Sequence, residues 1–161
     1  MNLYESIYNH FSPCKEKFVD GCDGSLYYHH ATQMNFQNAK SLCQSEGASL
    51  VVTDSQEKQD LVDNLFSSAK YWLALFDECG NNSCYRWIRG DGSKSDIVPK
   101  GDSNTPYTNW AEGEPNNGAE KMVMISCQNG KCGWYDVFDW QNADVICQKS
   151  NAGAIYSIET R

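Results

Sequence analysis

Eight cysteines, Cys14, Cys22, Cys43, Cys79, Cys84, Cys127, Cys132 and Cys147, constrain this chain more than any other feature. The number is even and high for 161 residues, which points to four disulfides formed in an oxidising compartment. Three pairs are close in sequence: Cys14/Cys22, Cys79/Cys84 and Cys127/Cys132. Cys43 and Cys147 remain, and a bridge between them would close most of the chain. In the loop-entropy picture so long a ring removes about 4–5 kcal/mol of unfolded-state freedom. Zinc is the rival reading, because Cys-x4-Cys occurs twice. Structural zinc knuckles prefer the tighter Cys-x2-Cys and are commonest inside cells, so disulfides are preferred.

Bulk properties narrow the rest. A 40% hydrophobic content over this length suits one compact domain, residues 1–161, with a real core. A net charge of −8 makes nucleic acid a poor partner. No apolar run is long enough to span a bilayer, so membrane insertion is not expected. The opening "MNLYESIYNHF" lacks a charged n-region and an apolar h-region. It reads as the start of a mature chain with an added initiator, or as a sequence given without its native signal.

The chain alternates short strands and helices before losing its periodicity. "SLYYHH" reads as a strand. Asn35 to Glu46 reads as a helix, with Phe36, Ala39, Leu42 and Cys43 on one face and Gly47 as its stop. "ASLVVT" reads as a strand. Asp54 is placed to cap a second helix, with Glu57 completing a capping box. That helix carries Leu61, Val62, Leu65 and Phe66, and "YWLALF" follows as a buried strand. Residues 77–117 are then rich in Gly, Asn, Ser, Asp and Pro, and a loop this long in a compact domain is usually functional or disordered. Trp87 and Trp110 argue that it is folded. "KMVMIS" and "GKCGWYDV" read as a hairpin turning at Asn129-Gly130, and "DVICQK" closes the sheet. The outline is α+β: two helices packed on small antiparallel sheets, a long polar loop, and disulfide staples.

Several motifs taken in order resemble one family. They are Cys43, "WLAL" where the family uses W-I-G-L, "NW" at 109–110, "GEPNN" at 113–117, Trp134-x-Asp136 and Cys147. Together they identify the chain as similar to the C-type lectin-like domains, over roughly residues 14–149. The resemblance implies Cys43–Cys147 and Cys14–Cys22 bridges, the latter closing the N-terminal hairpin of the long form. Cys79–Cys84 would pin the start of the long loop, and Cys127–Cys132 the Asn129-Gly130 hairpin. The family's second core disulfide would join positions matching Met122 and Asp139, and both partners are absent.

The resemblance also implies a sugar site built around Ca²⁺. Its metal ligands would be Glu114, Asn116, Glu120 and Asp136, with a cis proline at Pro115. Tyr135 stands where the family has an asparagine, and it offers no good oxygen to a hard cation. Ca²⁺ takes about 6–8 oxygens. Four side chains, the Asp136 carbonyl and two sugar hydroxyls fill the shell, so calcium binding is expected to be weakened rather than abolished. The Tyr135 ring offers partial compensation by packing on an apolar sugar face. The E-P-N order implies mannose-type glycans: mannose, glucose, N-acetylglucosamine or fucose. An auxiliary calcium site would use Asp77, Asn81, Asn117 and Lys121, and the lysine predicts it empty. A secreted or extracellular protein that binds glycans or glycoproteins, oligomerising for avidity, is the resulting expectation. The alternative is a calcium-independent domain that binds a protein.

Other motifs carry less. Arg89-Gly90-Asp91 overlaps a turn common in the family. Asn81-Asn82-Ser83 is a glycosylation sequon. His29 and His30 read as surface and packing residues, and no basic stripe forms. No G-x-S-x-G, H-E-x-x-H or Cys-His pattern supports an enzyme, and Glu114 with Glu120 on a surface loop is a poor glycosidase pair.

Overall fold

The computed structural model describes residues 17–101 and 106–151. Its elements are β1 (Val19–Asp20), β2 (Ser25–Met34), α1 (Phe36–Ser45), β3 (Ser49–Leu50), α2 (Gln56–Leu65), β4 (Lys70–Asp77), β5 (Tyr85–Trp87), β6 (Met122–Gln128), β7 (Lys131–Val137) and β8 (Ala143–Ser150). This is the expected α+β arrangement of two helices and disulfide-stapled sheets.

Two antiparallel groups of strands make up the sheet. One joins β1, β2, β8 and β3; the other joins β5, β4, β6 and β7. They meet through a parallel contact of β4 with β8 at Tyr71 and Asp144. That seam is parallel, where antiparallel sheets were expected. "ASLVVT" pairs as a strand only at Ser49–Leu50. Beyond it, Val51 donates to Ile146 on β8 at 3.0 Å and accepts from Ala74 on β4 at 2.9 Å. A residue bonded to two different strands bridges the sheets instead of extending one.

The helices bury narrow stripes. Asn35 caps α1, accepting from the Asn38 N–H at 2.9 Å, and the helix buries Ala39 and Cys43. Gly47, at φ 66°, ends it in a backbone region that glycine enters without a Cβ penalty. The α2 cap differs from expectation: Ser55 is the cap, accepting from the Lys58 N–H at 3.1 Å. The helix begins at Gln56, so a cap must stand one residue after Asp54 to reach the third helical amide. The Asp54–Glu57 capping box is therefore not formed. Asp54 instead faces the Lys58 and Arg89 side chains at 3.8 and 3.7 Å.

Cys43–Cys147 ties α1 to β8 across 104 residues of sequence. Cys79–Cys84 and Cys127–Cys132 close short rings, the latter between directly opposed residues of the β6–β7 hairpin. Both Cys-x4-Cys pairs are thus disulfides and not zinc ligands. Cys22 is exposed and bonded to no other described cysteine; its expected partner Cys14 lies outside the described residues. Met122 and Asp139, the positions of the missing family bridge, line one groove between α1, β4 and the turn after β5.

The core centres on "YWLAL", residues 71–75, all buried, with Tyr27, Val51, Met124, Ile125, Trp134 and Ile146. Hydrophobic burial dominates its stability, and the long bridge adds to it by constraining the unfolded chain. Replacing Cys43 and Cys147 by alanine should lower the unfolding free energy by about 4–5 kcal/mol, against about 2 kcal/mol for the short Cys127–Cys132 ring. Urea midpoints of the two double variants check the order.

Candidate functional site

Half of the site is carried by β7. Its Trp134 is buried at the centre of an aromatic cluster, edge-on to Trp87, Tyr107 and Trp110 at centroid distances of 5.5, 5.7 and 5.5 Å. The 109–111 segment runs alongside: Trp134 donates to the Asn109 carbonyl at 2.7 Å and Ala111 donates to the Trp134 carbonyl at 3.0 Å. Gly133 permits this approach, because a Cβ there would stand 3.0 Å from Ala111. The "NW" segment is thereby stitched to the strand two residues before Asp136.

The other half is the loop that follows. Glu114 donates its N–H to the Ala111 carbonyl at 2.9 Å, and the Glu114–Pro115 peptide is cis. Asp136, 3% exposed, holds the next turn with both oxygens: Oδ1 accepts from the Asn116 N–H and Oδ2 from the Asn117 N–H, each at 3.0 Å. The Asn116 amide donates to Glu114 Oε1 at 2.8 Å. The structure therefore brings Glu114, Asn116 and Asp136 together.

Glu120 lies close enough to be felt electrostatically but is not drawn into that contact. Its carboxyl is held above the usual range by burial and then by the Asp136 charge. Glu114 is pushed up to about 8, first by burial, then by a hydrogen bond with Asp136, then by the charges of Asp136 and Glu120. Its Oε2 is buried with no hydrogen-bond donor. Tyr85 beneath is also raised, by burial and then by Asp136, Asp77, Glu114 and Glu120. Four carboxyls thus crowd one side of the molecule, and a carboxyl retains its proton where like charges converge without a cation. Among the described residues, the three acidic, histidine or cysteine side chains whose ligand atoms lie mutually within 4.8 Å are His30, Glu46 and Cys147, and Cys147 is spent on its disulfide. The donor set of Glu114, Asn116, Glu120 and Asp136 is all oxygen, which suits a hard cation. The oxygen left without a donor and the retained proton fit one as well.

Tyr135 is half-buried, pairs across the hairpin with Met124 and packs on the core. The positions of the auxiliary site are otherwise engaged. Buried Asp77 accepts from the Asn82 N–H at 2.7 Å and the Cys84 N–H at 3.1 Å, closing the Cys79–Cys84 turn. Lys121 lies over Gly80, where an added Cβ would stand 2.7 Å from its Cε. Asn117 Oδ1 accepts from the Ala119 N–H at 3.1 Å.

Sequence reading missed Asn82. It is buried, its side-chain nitrogen donates to the Tyr85 hydroxyl at 2.9 Å and the Asn117 carbonyl at 3.2 Å, and its oxygen accepts from the Asn117 N–H at 3.1 Å. Its φ of 60°, a region asparagine tolerates better than most residues, was the available signal in "GNNSC". The histidines, expected as surface and packing residues, pair with acids: His29 with Asp144 at 2.9 Å and His30 with Glu46 at 3.4 Å.

Residues 32–149 match the family described as Lectin C-type domain. The chain is 27% identical over 128 residues to the hepatic lectin of Gallus gallus, covering 79% of this chain and 56% of that protein. It spans about half the length of the curated relatives it matches. Its fold is similar to the C-type lectin domain of murine dendritic cell inhibitory receptor 2 solved with an N-glycan, at TM-score 0.68 and 26% identity, covering 86% of this chain and 99% of that one. A Ca²⁺-dependent type II antifreeze protein in its Ca²⁺-free form is similar at TM-score 0.67 and 26% identity, covering 85% and all of that chain.

Two outcomes follow from the geometry. Asp136→Ala strands two backbone donors and should cost about 2–3 kcal/mol of stability in calcium-free urea denaturation. Between about pH 4.5 and 8 the native chain holds a proton on Glu114 that the unfolded chain has lost, so this group's contribution to stability falls as pH rises through that window. Without calcium, the difference in unfolding midpoint between the wild type and Glu114→Gln should shift against the wild type from pH 5 to pH 8.

Proposed function

The chain belongs to the C-type lectin domain family, and from that premise we propose that it is an extracellular, calcium-dependent binder of mannose-type glycans. The family is one of non-enzymatic carbohydrate-binding domains, and the chain is not an enzyme. No helix among the described residues is long and apolar enough to cross a membrane.

One observation carries the reading: Glu114 keeps a buried oxygen without a donor, beside Asn116 and a fully engaged Asp136. Glu114, Asn116, Glu120 and Asp136 are the residues that would hold Ca²⁺. Bound there, the ion supplies coordination for two neighbouring sugar hydroxyls. The chain's own part is to set the remaining donors and acceptors. Asp136 fixes the turn through the backbone, which leaves the Asn116 side chain exposed and the Glu114 carboxyl on the same loop. Glu114 and Glu120 accept from sugar hydroxyls, and the Asn116 amide donates. The part of Tyr135 that the core leaves uncovered packs on the sugar's apolar face. Asp77 and Lys121 belong to an auxiliary site that the lysine keeps free of calcium.

A second reading, a calcium-independent domain that binds a protein, is favoured by one observation. Tyr135 takes the place of the family's asparagine and packs on the core.

A mannose column separates the two. Retention in calcium and release by a chelator supports the lectin; flow-through in both conditions, with no heat of calcium binding by calorimetry, removes it. Tyr135→Asn should tighten calcium about 5–10-fold, or roughly 1–1.4 kcal/mol, by the same calorimetry. Glu114→Gln with Asn116→Asp should move sugar preference toward galactose.

A further inference from the structure

We propose that Asn81 carries an N-linked oligosaccharide that stands beside the 114–117 loop and screens it from bulky ligands. The proposal rests on the extracellular reading above. Its basis is the way the fold sorts the three residues of the Asn81-Asn82-Ser83 sequon.

The middle residue is the anchor. Asn82 is 7% exposed, and its backbone N–H is held by Asp77 Oδ2 at 2.7 Å. With its amide oxygen toward the Asn117 N–H at 3.1 Å, its nitrogen reaches the Asn117 carbonyl at 3.2 Å. The outer two residues are presented. Asn81 and Ser83 are both exposed, and the Ser83 hydroxyl donates to the Asn81 amide oxygen. Among the described residues, the Asn81 side-chain nitrogen meets no hydrogen-bond acceptor, so the atom to be modified is not committed to the fold.

Attachment at this nitrogen is a substitution without redox change. The Asn81 nitrogen forms a bond to the anomeric carbon of a lipid-diphosphate-linked oligosaccharide. The bond from that carbon to the diphosphate oxygen breaks, the lipid diphosphate leaves, and the nitrogen loses one proton to a base of the transferase. The Cys79–Cys84 bridge then holds the modified residue in a small ring.

The position gives the sugar a consequence. A Cβ added to Gly118 would stand 3.1 Å from the Asn81 Cα, so the two backbones touch. Gly118 directly follows Asn117, whose N–H is held by Asp136. An oligosaccharide rooted at Asn81 therefore rises next to the loop that carries Glu114 and Asn116. It obstructs a glycoprotein approaching that side, while a monosaccharide passes.

The test is to secrete the full chain from eukaryotic cells, alongside Asn81→Gln and Ser83→Ala. The wild type should shift to lower mass with peptide-N-glycosidase, which leaves aspartate at position 81 in the peptide mass spectrum, and neither variant should shift. Asn81→Gln should bind a mannose-bearing glycoprotein several-fold tighter than the wild type, with free mannose affinity unchanged. An unmodified Asn81 in the secreted wild type overturns the proposal, and so does a modified Asn81 whose removal leaves glycoprotein binding unchanged. Calcium-dependent mannose retention, run on the same preparations, reads the lectin function separately. Retention lost by both the wild type and Asn81→Gln, with Asn81 glycosylated in the wild type, overturns the screening and that function together, whereas a bare Asn81 with intact retention overturns this proposal alone.

Discussion

The carboxylate of Asp136 is the joint on which the candidate site depends. It is buried, and its two oxygens accept from the backbone N–H groups of Asn116 and Asn117. Buried charge is costly unless hydrogen bonds replace the lost water, and here two amides do so. The same contacts give the loop its shape. Residues 114–117 have no strand partner, so the backbone donors that a ladder would satisfy are satisfied by one side chain from the sheet. A single residue thus connects the sheet to the loop that carries Glu114 and Asn116.

That joint is anchored by Trp134, two residues earlier, which is fully buried. Alternation along β7 puts Trp134 and Asp136 on one face, and Trp87, Tyr107 and Trp110 close around the indole. All three rings come from the long polar segment, residues 77–117. Its aromatic residues bury area at the sheet while its polar residues remain outside, so beyond β5 the segment folds with little regular structure of its own. Even there, Val98 donates to the Tyr85 carbonyl at 2.8 Å and Trp110 Nε1 donates to the Pro99 carbonyl at 2.9 Å.

The sequence carried most of the frame. "YWLALF" reads as a buried strand because its apolar run leaves no polar face, and β4 is that strand. Cys127 and Cys132 sit opposite each other because the Asn129-Gly130 turn sets the β6–β7 register. What the sequence blurred was the ownership of backbone groups. Asp54 and Ser55 are both good caps, and the choice is made by where the amides of α2 stand. "ASLVVT" has strand composition throughout, yet Val51 divides its bonds between β8 and β4, a matter of tertiary placement. Asn82 was hidden for the same reason. Nothing local tells that its amide meets Asn117, thirty-five residues on.

The candidate ligands were legible as residue types in order, but their arrangement follows from electrostatics that residue types do not state. Glu114, Glu120 and Asp136 share one surface, and like charges that close oppose convergence. The structure answers this with a compromise: the Asp136 carboxylate is hydrogen-bonded by two backbone amides, Glu114 is pushed toward its protonated form, and Glu120 stands apart. Such a cluster is unfavourable for folding taken alone, since neutral residues in the same turn would avoid both desolvation and repulsion. Its acids gain favourable interactions when a cation enters and the Glu114 proton leaves. In the proposed calcium site, the binding energy of the ion would be spent partly on relieving the chain's own repulsion, so Tyr135 would weaken the site without removing the reason for it.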